Sequence, residues 1–502
     1  MLTEVLLIVG VVCVAFYLWV RDQYKFFEKR GVEFIKPTFL VGNLKDVIFK
    51  KQNLFDSAES LYNSGKSSIV GMFESTSPIF LMKTPELARQ IFIKDFNHFV
   101  DHRKFFHDGG LFEETLIQLE GEKWKDMRST LSPAYTGNKM RGMFELIKEI
   151  AQQASKYLKE NELDKDVNLK DFCSRFANDV IASTAFGFQI DSMKDRNNEF
   201  FKMGQEVTTF NTWDVIKFFL LGSFNKMSKL FGLSLLTKRQ NDYYMNLVLG
   251  AMKNRSENNI FRPDMINMLM EVRGGSSEHK SHHNWTDKEI VAQCFIFFFA
   301  GFDTVSTTLS FAGHELMINP EVQEKLKEEI KEVHESLDGK PLTYEALNNM
   351  KYAEAVIFET LRKWPQLPLI DRLCTKAIDL EDTETGQTIH LIPGDQVQVS
   401  TLGIHRDPKY FPDPMTFDPD RFSEENKKNI PPNSFMPFGI GPRMCIGNRF
   451  AMLEMKALLF YLLNDVSIKQ SVKSIIPMIL DPGSAQMEPK GGIYVKFVTD
   501  EK

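Results

Sequence analysis

The sequence predicts a mainly α-helical protein with a minor β part, built as one large domain behind an N-terminal membrane anchor helix. Three observations predict this class: an apolar run at the amino terminus, a long helical pattern that begins near Thr286, and only a few short segments of strand type. The chain has 502 residues, of which 43% are apolar and 25% are charged. These proportions are those of an ordinary globular protein, and they exclude a disordered chain, a collagen-like fibre and a protein with many membrane spans.

Charge and cysteine content exclude further classes. The chain has 61 Lys and Arg against 67 Asp and Glu, a net charge of −6, so it has no basic excess to neutralise nucleic-acid phosphates. The five cysteines lack C-x-x-C spacing, which argues against a zinc finger or a disulfide framework and favours a reducing compartment. The 43 phenylalanines indicate a large apolar core or pocket.

The apolar run from Val5 to Val20, with the residues beside it, is long enough to cross a reticulum bilayer. A cleaved signal peptide is the alternative, but no Lys or Arg precedes the run and no small-x-small cleavage site follows it. The basic residues come after the run, which places the remaining chain in the cytosol. The expected divisions of the chain are an anchor over residues 1–21, a linker over residues 22–43 and the main domain over residues 44–502.

Short strands are predicted in two parts of the chain. The segments Ile69–Phe73 and Ile79–Met82 predict a β-hairpin. The pair Thr84-Pro85 then predicts the start of a helix, with Thr84 as its N-cap. Alternating apolar residues between Gly386 and Val399 predict a further short sheet.

The most informative predicted helix begins after Thr286, which forms a capping-box pattern with Glu289. The pattern continues for about 33 residues, long enough to cross a large domain. Its centre, from Cys294 to Phe302, is apolar on every face but too short to span a bilayer, and so indicates a buried core helix. The polar loop over residues 271–285 holds three histidines; we interpret it as a solvated linker because nothing nearby supplies a shell of carboxylates or an apolar cover for a metal ion.

A glycine-rich loop near the carboxyl terminus carries the residues with distinctive chemistry. It reads Phe438-Gly-Ile-Gly441-Pro-Arg443-Met-Cys445-Ile-Gly447 and stands just before a helical stretch. A helix N-terminus and a nearby arginine both stabilise a thiolate, and the glycines let the backbone turn and let a flat ligand approach. Two other interpretations stay open. One is a buried structural cysteine, and the other is a phosphate-binding loop, although the glycine spacing of such loops and their Lys-Ser/Thr pair are missing.

This loop is similar to the haem-binding loop of the cytochrome P-450 monooxygenases. Further segments resemble motifs of the same family, in the same order and over essentially the whole chain: Trp124-Lys-Asp-Met-Arg128, Ala300-Gly301-Phe302-Asp303-Thr304, Glu359-Thr-Leu-Arg362 and Pro419-Asp420-Arg421-Phe422. Finer similarity, in segments such as GVEFIKP and DFNHFVDHR, is strongest to insect microsomal forms, in the clade that also holds mammalian drug-metabolising enzymes. The resemblance implies a single catalytic domain of the cytochrome P-450 type over residues 44–502.

The resemblance further implies that haem b is the cofactor, with the Cys445 thiolate as the axial ligand of its iron. Donation from a thiolate favours cleavage of the O–O bond. Cationic residues and a tryptophan would hold the haem propionates, and small or flat residues would lie against the ring. The implied propionate residues are Arg103, Trp124, Arg128, Arg372 and Arg443. The implied residues against the ring are Phe438, Gly441, Ala300 and Gly301.

Proton delivery is the implied role of Asp303 and Thr304. Thr304 would donate through its hydroxyl or an ordered water, and Asp303 would relay protons from solvent. Gly301 would widen the helix groove for dioxygen. Hydrogen bonding of Thr304 back into its own helix is the other interpretation. Val305 stands where many relatives carry Thr or Ser, which bears on how efficiently oxygen use is coupled to product.

A structural network is implied by Glu359, Arg362 and Arg421. In the family it locks the core beneath the haem and has no catalytic role. An ordinary surface ion pair is the alternative for the Glu359–Arg362 spacing taken alone.

The expected substrate is lipophilic, because the residues implied around it are apolar. They are Phe105, Phe112, Phe298, Leu369, Ile370 and Ala485. Ordinary core packing is the alternative for each one. The apolar stretch over residues 218–236 either enters the bilayer or forms core helices.

The implied reaction is insertion of one oxygen atom of O₂ into lipophilic compounds, xenobiotics such as plant toxins or insecticides. Electrons would come from NADPH through a membrane-bound reductase, with a small b-type cytochrome as an optional second donor. Lys123 and Lys125 would form part of the docking face. The protein would lie on the cytosolic face of the endoplasmic reticulum membrane.

Three alternatives share the haem site. They are a biosynthetic monooxygenase for a hormone, sterol or fatty acid, a haem carrier or sensor of gases, and a haem-thiolate isomerase. The last two need no proton relay, so the pair Asp303-Thr304 argues against them.

Overall fold

Helices form most of the chain that the computed structural model describes, which is residues 2–104, 109–209, 234–262, 264–273, 284–484 and 486–500. Short 3₁₀ and π turns such as Gln90–Lys94 extend some of the helices. The α-helices, in chain order, are α1 Leu2–Gln23, α2 Phe26–Arg30, α3 Lys45–Ile48, α4 Leu54–Tyr62, α5 Pro85–Arg89, α6 Gly121–Leu131, α7 Gly137–Asn161, α8 Leu169–Ile181, α9 Glu199–Thr208, α10 Lys238–Asn258, α11 Met265–Arg273, α12 Asp287–Ile318, α13 Pro320–Leu337, α14 Tyr344–Asn348, α15 Lys351–Lys363, α16 Thr401–Arg406 and α17 Asn448–Leu463.

Several predicted residues lie outside the described parts of the chain. They are the expected substrate contacts Phe105 and Ala485, the histidines 279, 282 and 283 of the polar loop, and residues 218–233 of the apolar stretch.

The strands form three small sheets. Their bounds are β1 Ile69–Glu74, β2 Ser77–Met82, β3 Val167–Asn168, β4 Leu369–Leu373, β5 Ile378–Glu381, β6 Thr388–Leu391, β7 Gln396–Ser400, β8 Val466–Gln470 and β9 Tyr494–Thr499. The largest sheet has the order β1-β2-β7-β4, and the others are β3-β9-β8 and β5-β6. Within the largest sheet, β2 and β7 run parallel and the other neighbours run antiparallel.

The predicted local elements match the structure at most boundaries. The hairpin β1–β2 is confirmed, with Ile69 opposite Met82. Thr84 caps α5 by accepting a hydrogen bond from the Leu87 backbone N–H, and Pro85 is the first helical residue. The segment between Gly386 and Val399 does form strands, but β6 and β7 belong to different sheets, so they are not the single short sheet that was expected.

The long helix α12 is the centre of the domain. Its capping box is present in full, because Thr286 and Glu289 each accept a hydrogen bond from the other's backbone N–H. It packs against α8 most extensively and also against α9, α10, α15 and α17. The prediction of a buried core helix is therefore confirmed: α12 is apolar enough to cross a membrane by composition, yet most of it is buried inside the domain.

Close approach of α8 to α12 depends on two glycines of α12. A Cβ at Gly301 would lie 2.9 Å from Ile181 Cδ1, and a Cβ at Gly313 would overlap the Leu169 side chain. Ile181 and Leu169 stand at opposite ends of α8, so the two helices run antiparallel with both ends in contact. Gly301 therefore has a packing role here, whereas the sequence suggested that its missing side chain makes room for dioxygen.

The amino terminus differs in part from the expected division. Helix α1 is long and apolar enough to cross a membrane and has little contact with the domain, as an anchor requires. It runs on to Gln23, beyond the expected end at residue 21. The expected linker is also packed in part: the Phe27 ring is fully buried, and Phe34 makes a parallel bridge with Gly71 of β1. This part of the segment belongs to the domain because its apolar side chains cover the sheet.

The ion pair between Lys123 and Glu289 fastens the start of α12 to α6, with Nζ and Oε1 2.5 Å apart. Hydrogen bonds from Lys123 and Thr286 outweigh burial and lower the pKa of Glu289 to about 2. A carboxyl group whose pKa is lower in the folded state stabilises the fold above its unfolded pKa, and that contribution is lost as the pH falls towards the folded pKa.

We expect Glu289→Gln to lower the free energy of unfolding by about 1 kcal/mol near neutral pH, because glutamine keeps the capping box but loses the ion pair. The difference from wild type should shrink as the pH falls below about 4.5. Urea unfolding at several pH values measures this difference. A gap that stays constant down to about pH 3 would contradict the assignment of the stabilisation to this carboxylate.

Candidate active site

The loop before α17 holds Cys445 in a fixed turn. The Cys445 backbone N–H donates to the Phe438 carbonyl over 2.8 Å, and the Met444 N–H donates to the Gly441 carbonyl over 3.0 Å. Gly441 has φ +78°, and a Cβ there would overlap the Phe92 carbonyl oxygen. This position therefore requires glycine for two reasons, its left-handed backbone and its close contact with Phe92.

The thiol of Cys445 lies on the wall of an internal space. Its side chain is exposed, yet burial raises the pKa of the thiol, while the Gly447 N–H and the charge of Arg128 lower it. The exposure of the side chain and the effect of burial on the pKa are consistent if protein surrounds the sulfur on most sides and one side opens inward. A cation and a backbone N–H near the sulfur are the features that stabilise a thiolate.

A strip of α12 is accessible although most of the helix is buried. Ala300 and Thr304, one turn apart, are exposed, whereas the residues that follow Thr304 are buried as far as Met317. Tyr135 connects this strip to the cysteine loop. Its ring centroid is 5.8 Å from that of Phe297, and its hydroxyl would lie 3.9 Å from a Cβ at Gly447. We infer that the strip and the thiol face the same interior space.

Two buried arginines stand near the loop. Arg443 donates to the Val100 and Leu119 carbonyls over 2.7 and 2.8 Å, and its guanidinium lies 4.1 Å from the Trp124 ring centroid. Arg372 donates to the Asp371 carbonyl, and its Nε is buried without a hydrogen-bond partner in the described chain.

Burial is the main reason that the pKa of Arg372 falls to about 10 and that of Arg443 to about 9. The positive charge of Arg372 lowers the pKa of Arg443 further. Buried cations that repel each other are stabilised by an anion placed between them.

Arg128 is the third cation of this group. Burial lowers the pKa of its guanidinium, and the opposing influences come from Cys445 and Tyr135. No hydrogen bond or ion pair joins this guanidinium to another residue of the described chain, and the same holds for the Trp124 indole N–H. The group thus has donors to offer to an anionic ligand.

Arg103 stands apart from the other predicted propionate residues. Its guanidinium pairs with Glu74, with Nη1 and Oε2 2.5 Å apart, and a second contact is 3.2 Å long. The nearest residue of this segment to Arg372 is instead His102, whose ring nitrogens lie 3.3 Å from Arg372 Nη1. This arrangement does not favour Arg103 as a propionate ligand, because both of its terminal nitrogens already contact a carboxylate of the protein.

The predicted proton-relay pair is bonded to protein groups. The Thr304 hydroxyl donates to the Ala300 carbonyl over 2.7 Å, the local arrangement that was weighed as the alternative. The Asp303 carboxylate accepts hydrogen bonds from Lys170 and Gln486 over 2.7 and 3.1 Å. The Thr304 proton and both oxygens of the Asp303 carboxylate thus each have a protein partner in this structure.

The residues Glu359, Arg362 and Arg421 lie together beneath the cysteine loop. Glu359 and Arg362 are fully buried and joined by two hydrogen bonds of 2.7 Å. Arg421 Nε is 3.5 Å from Glu359 Oε1. Burial raises the pKa of Glu359, and Arg362 acts against this shift. Arg362 also donates to the carbonyl of His405, whose ring accepts a hydrogen bond from the Met436 N–H just before the loop.

The predicted substrate residues fall into different places. The Phe112 ring packs edge-on against Phe299 at 5.8 Å, and Leu369 and Ile370 are half-buried on β4. Phe298 is fully buried within an aromatic cluster that includes Phe200, 4.9 Å away. Phe298 therefore belongs to the core, because the helix turns it away from the accessible strip. Phe297 and Phe299, its two neighbours, are partly accessible.

Sequence reasoning missed His102, Lys170 and Gln486. His102 had a weak signal, since it stands beside Arg103 in the segment DHRKF. Lys170 and Gln486 had none, because they are 133 and 183 residues from Asp303 and only the fold joins them.

Comparison with known proteins agrees with this site. The family model described as Cytochrome P450 matches residues 33–497. The chain is 44% identical to "Probable cytochrome P450 9f2" of Drosophila melanogaster, over 99% of both chains. It is 39% identical to "Cytochrome P450 9e2" of Blattella germanica over 95% of each chain, and 33% identical to "Cytochrome P450 6k1" of the same species over 99% of this chain and 97% of the relative.

These findings define a haem-thiolate oxidoreductase with a monooxygenase role, whose cofactor is haem b with a cysteine thiolate as axial ligand. The chain belongs to the cytochrome P450 family, in the neighbourhood of the insect family 9 and family 6 types.

The residues present fit haem. An inward-facing thiol is available for the iron. The Arg128 guanidinium, Arg372 Nε and the Trp124 indole N–H have no hydrogen-bond partner among the described residues, and such donors suit the two carboxylates of the ring.

We expect Arg128→Leu to lower haem retention, because this guanidinium has no other ionic partner in the described chain. The ratio of haem to protein after extended dialysis should fall severalfold, as expected for loss of a charge-assisted hydrogen bond. The matched control is Arg141→Leu, since Arg141 forms an exposed pair with Glu345. Equal haem retention in Arg128→Leu and wild type would contradict this role.

Proposed function

We propose that this protein inserts one atom of O₂ into lipophilic substrates, with electrons from NADPH delivered by a partner reductase. The proposed substrates are xenobiotics such as plant toxins or insecticides, and the proposed place is the cytosolic face of the endoplasmic reticulum membrane. A small b-type cytochrome is a second proposed electron donor.

The observation that carries the proposal is the position of the Cys445 thiol. It opens to the interior beside Arg128, in a turn that the Phe438 carbonyl and Gly441 hold. Haem, when bound there, supplies the activation of dioxygen. The chain's own groups bind the ring, exclude bulk water and hold the protons that the reaction consumes.

Thr304 and Asp303 are the proposed proton carriers. Thr304 is exposed to the interior strip, so its oxygen can accept a hydrogen bond from a water while its proton points to Ala300. Rotation of the hydroxyl away from Ala300 would present that proton to the interior. Asp303 is partly accessible and is bonded to Lys170, which is itself partly exposed, and this exposure supports the proposed relay from solvent.

A lipophilic substrate is supported by the side chains near the accessible strip. Phe112 and Phe299 contact each other, and Phe297 is also partly accessible. Apolar walls of this kind favour apolar ligands by burial alone and provide few polar groups to orient them. A biosynthetic monooxygenase for a hormone, sterol or fatty acid is the alternative, and turnover across a panel of lipophilic compounds separates the two.

The proposed docking face for the reductase needs one revision. Lys123 is bonded to Glu114 and Glu289 over 3.0 and 2.5 Å, so its charge is largely satisfied within the domain. Lys125 is more exposed and pairs only with its helix neighbour Glu122 among the described residues. Lys125 is therefore the better candidate of the two for an electrostatic contact with a partner.

We expect Cys445→Ser to abolish the red-shifted absorption that the reduced enzyme shows with carbon monoxide, because that band needs a sulfur ligand. Cys374→Ser is the matched control: Cys374 is a buried cysteine outside the loop, and serine can keep its hydrogen bond to the Lys376 carbonyl. Hydroxylated product from Cys445→Ser, or an unchanged band, would refute the proposed function.

We expect Thr304→Ala to lower the amount of product formed per NADPH consumed, by roughly tenfold, because a proton donor is lost while electron supply is unchanged. Product and NADPH are measured in the same reconstituted reaction. Thr308→Ala is the control, since Thr308 makes the same kind of backbone bond one turn further along the helix, to the Thr304 carbonyl. Equal ratios in Thr304→Ala and wild type would show that this hydroxyl delivers no proton.

A further inference from the structure

The Asp303 carboxylate is held from two sides by residues of other elements. Its Oδ1 accepts a hydrogen bond from Lys170 Nζ over 2.7 Å, and its Oδ2 accepts one from Gln486 Nε2 over 3.1 Å. We call this set the Lys170–Asp303–Gln486 bridge. Each oxygen has one protein partner, so the orientation of the carboxylate depends on α8 and on the chain segment before β9.

Lys170 fastens one turn of α12 to α8. Besides Asp303, its ammonium contacts the hydroxyls of Ser306 and Thr307 over 2.7 and 2.6 Å. An ammonium group has three hydrogens, and here each has an oxygen acceptor on α12. The Lys170 side chain is 38% exposed and Asp303 is 29% exposed, so this contact is accessible to water.

Gln486 joins α12 to the end of α9. The same Nε2 that donates to Asp303 donates to the carbonyl of Thr208, the last residue of α9, over 2.9 Å. The backbone of this segment is held in turn by the buried Asn53 side chain: its Nδ2, which has two hydrogens to share, lies 2.8 to 3.0 Å from the carbonyl oxygens of Asp481, Ser484 and Gln486. A shift of either element therefore changes the contact with Asp303.

The two contacts differ in strength. The Lys170 contact is short and joins two charges, whereas the Gln486 contact is longer and its donor is a neutral amide. Both hydrogen bonds have an ionised acceptor, but only the Lys170 contact is also an ion pair, so it is the stronger of the two. The Gln486 contact is therefore the weaker of the two, and its loss would leave Oδ2 without this donor while Lys170 keeps the carboxylate in place.

We propose that Lys170 and Gln486 are positioning residues for proton delivery: Lys170 holds the Asp303 carboxylate, and Gln486 links its release to the end of α9 and to the segment that Asn53 fixes. This inference rests on the proposed function, since Lys170 and Gln486 have a role in proton delivery only if Asp303 relays protons. The two positioning residues would determine what fraction of the consumed NADPH yields product.

The first measurement is the product formed per NADPH in the reconstituted holoenzyme. We expect Lys170→Met to lower this ratio by roughly tenfold, and Gln486→Leu to lower it by roughly fivefold, in line with the strengths of the two contacts. Lys170→Arg should restore most of the loss because it keeps the charge. The control is Lys327→Met, which removes a lysine that pairs with Asp500 at 2.6 Å and contacts Ser467 in a similar way, away from α12.

The second measurement is independent of turnover. Hydrogen exchange of the backbone amides is compared between wild type and Gln486→Leu. We expect faster exchange at the end of α9, around residues 205–209, because the Thr208 carbonyl loses its tie to the rest of the domain. Lys327→Met should leave this region unchanged. Unchanged exchange in Gln486→Leu would overturn the link between α9 and Asp303.

The third measurement separates this inference from the proposed function. Asp303→Asn alone should lower the ratio of product to NADPH, and Lys170→Met should add nothing in that background. An unchanged ratio in Asp303→Asn would refute the relay role itself. Suppose instead that Asp303→Asn lowers the ratio. If Lys170→Met then has no effect in the wild-type background, or has its full effect in the Asp303→Asn background, the role of the bridge is refuted and the relay role of Asp303 is retained. If Lys170→Met fails to fold with haem, Gln486→Leu decides in the same cycle.

Discussion

The buried ion pair between Glu359 and Arg362 is the interaction on which the cysteine side of the domain depends. Both side chains are fully excluded from solvent. The hydrogen bonds that Arg362 donates go to the Glu359 carboxylate or to backbone carbonyls. Removing either partner leaves an uncompensated charge in the core, at a cost of about 3–5 kcal/mol. Through His405 and Met436 the pair fixes the approach to the turn that presents Cys445.

A second constraint comes from α12, which combines two kinds of surface. Its first half packs aromatic side chains into the core, as Phe298 does among Phe200 and Tyr244. Around Asp303 its surface becomes polar and is bonded by Lys170 and Gln486. The transition falls at the accessible strip of Ala300 and Thr304. A continuous, rigid helix thus brings an apolar wall and a proton-bearing group to the same interior space.

Much of the fold could be predicted from local sequence, and the reasons are physical. The capping box at Thr286 and the Thr84-Pro85 start are short-range patterns, in which the residues that make the bond are close in the chain. The pairing of β7 with β2 and β4 depends on contacts between distant segments, and the alternation of apolar residues does not say which strand is the neighbour. The packed linker around Phe27 was missed for the same reason. The sequence around Phe27 and Phe34 does not distinguish them from aromatic residues of an exposed segment.

In the candidate site, too, local features could be predicted and contacts between distant segments could not. The residue types of the cysteine loop could be predicted because the turn is local and requires Gly441. The partners of Arg103 and Asp303 could not, because Glu74 and Gln486 reach them across the fold. The face that Phe298 presents also escaped prediction, since three consecutive phenylalanines on a helix point in different directions and only the packing selects among them.

The contact of Gly301 with Ile181 and of Gly313 with Leu169 has a consequence for the chemistry proposed at Asp303. The two glycines are as far apart on α12 as their partners are on α8. Together they determine the distance between the two helix axes and the register of one helix along the other. A larger side chain at either glycine would push the axes apart, and the ammonium of Lys170 would then fall short of its carboxylate. The alignment of a charged contact is thus determined by two places where the chain has no side chain at all.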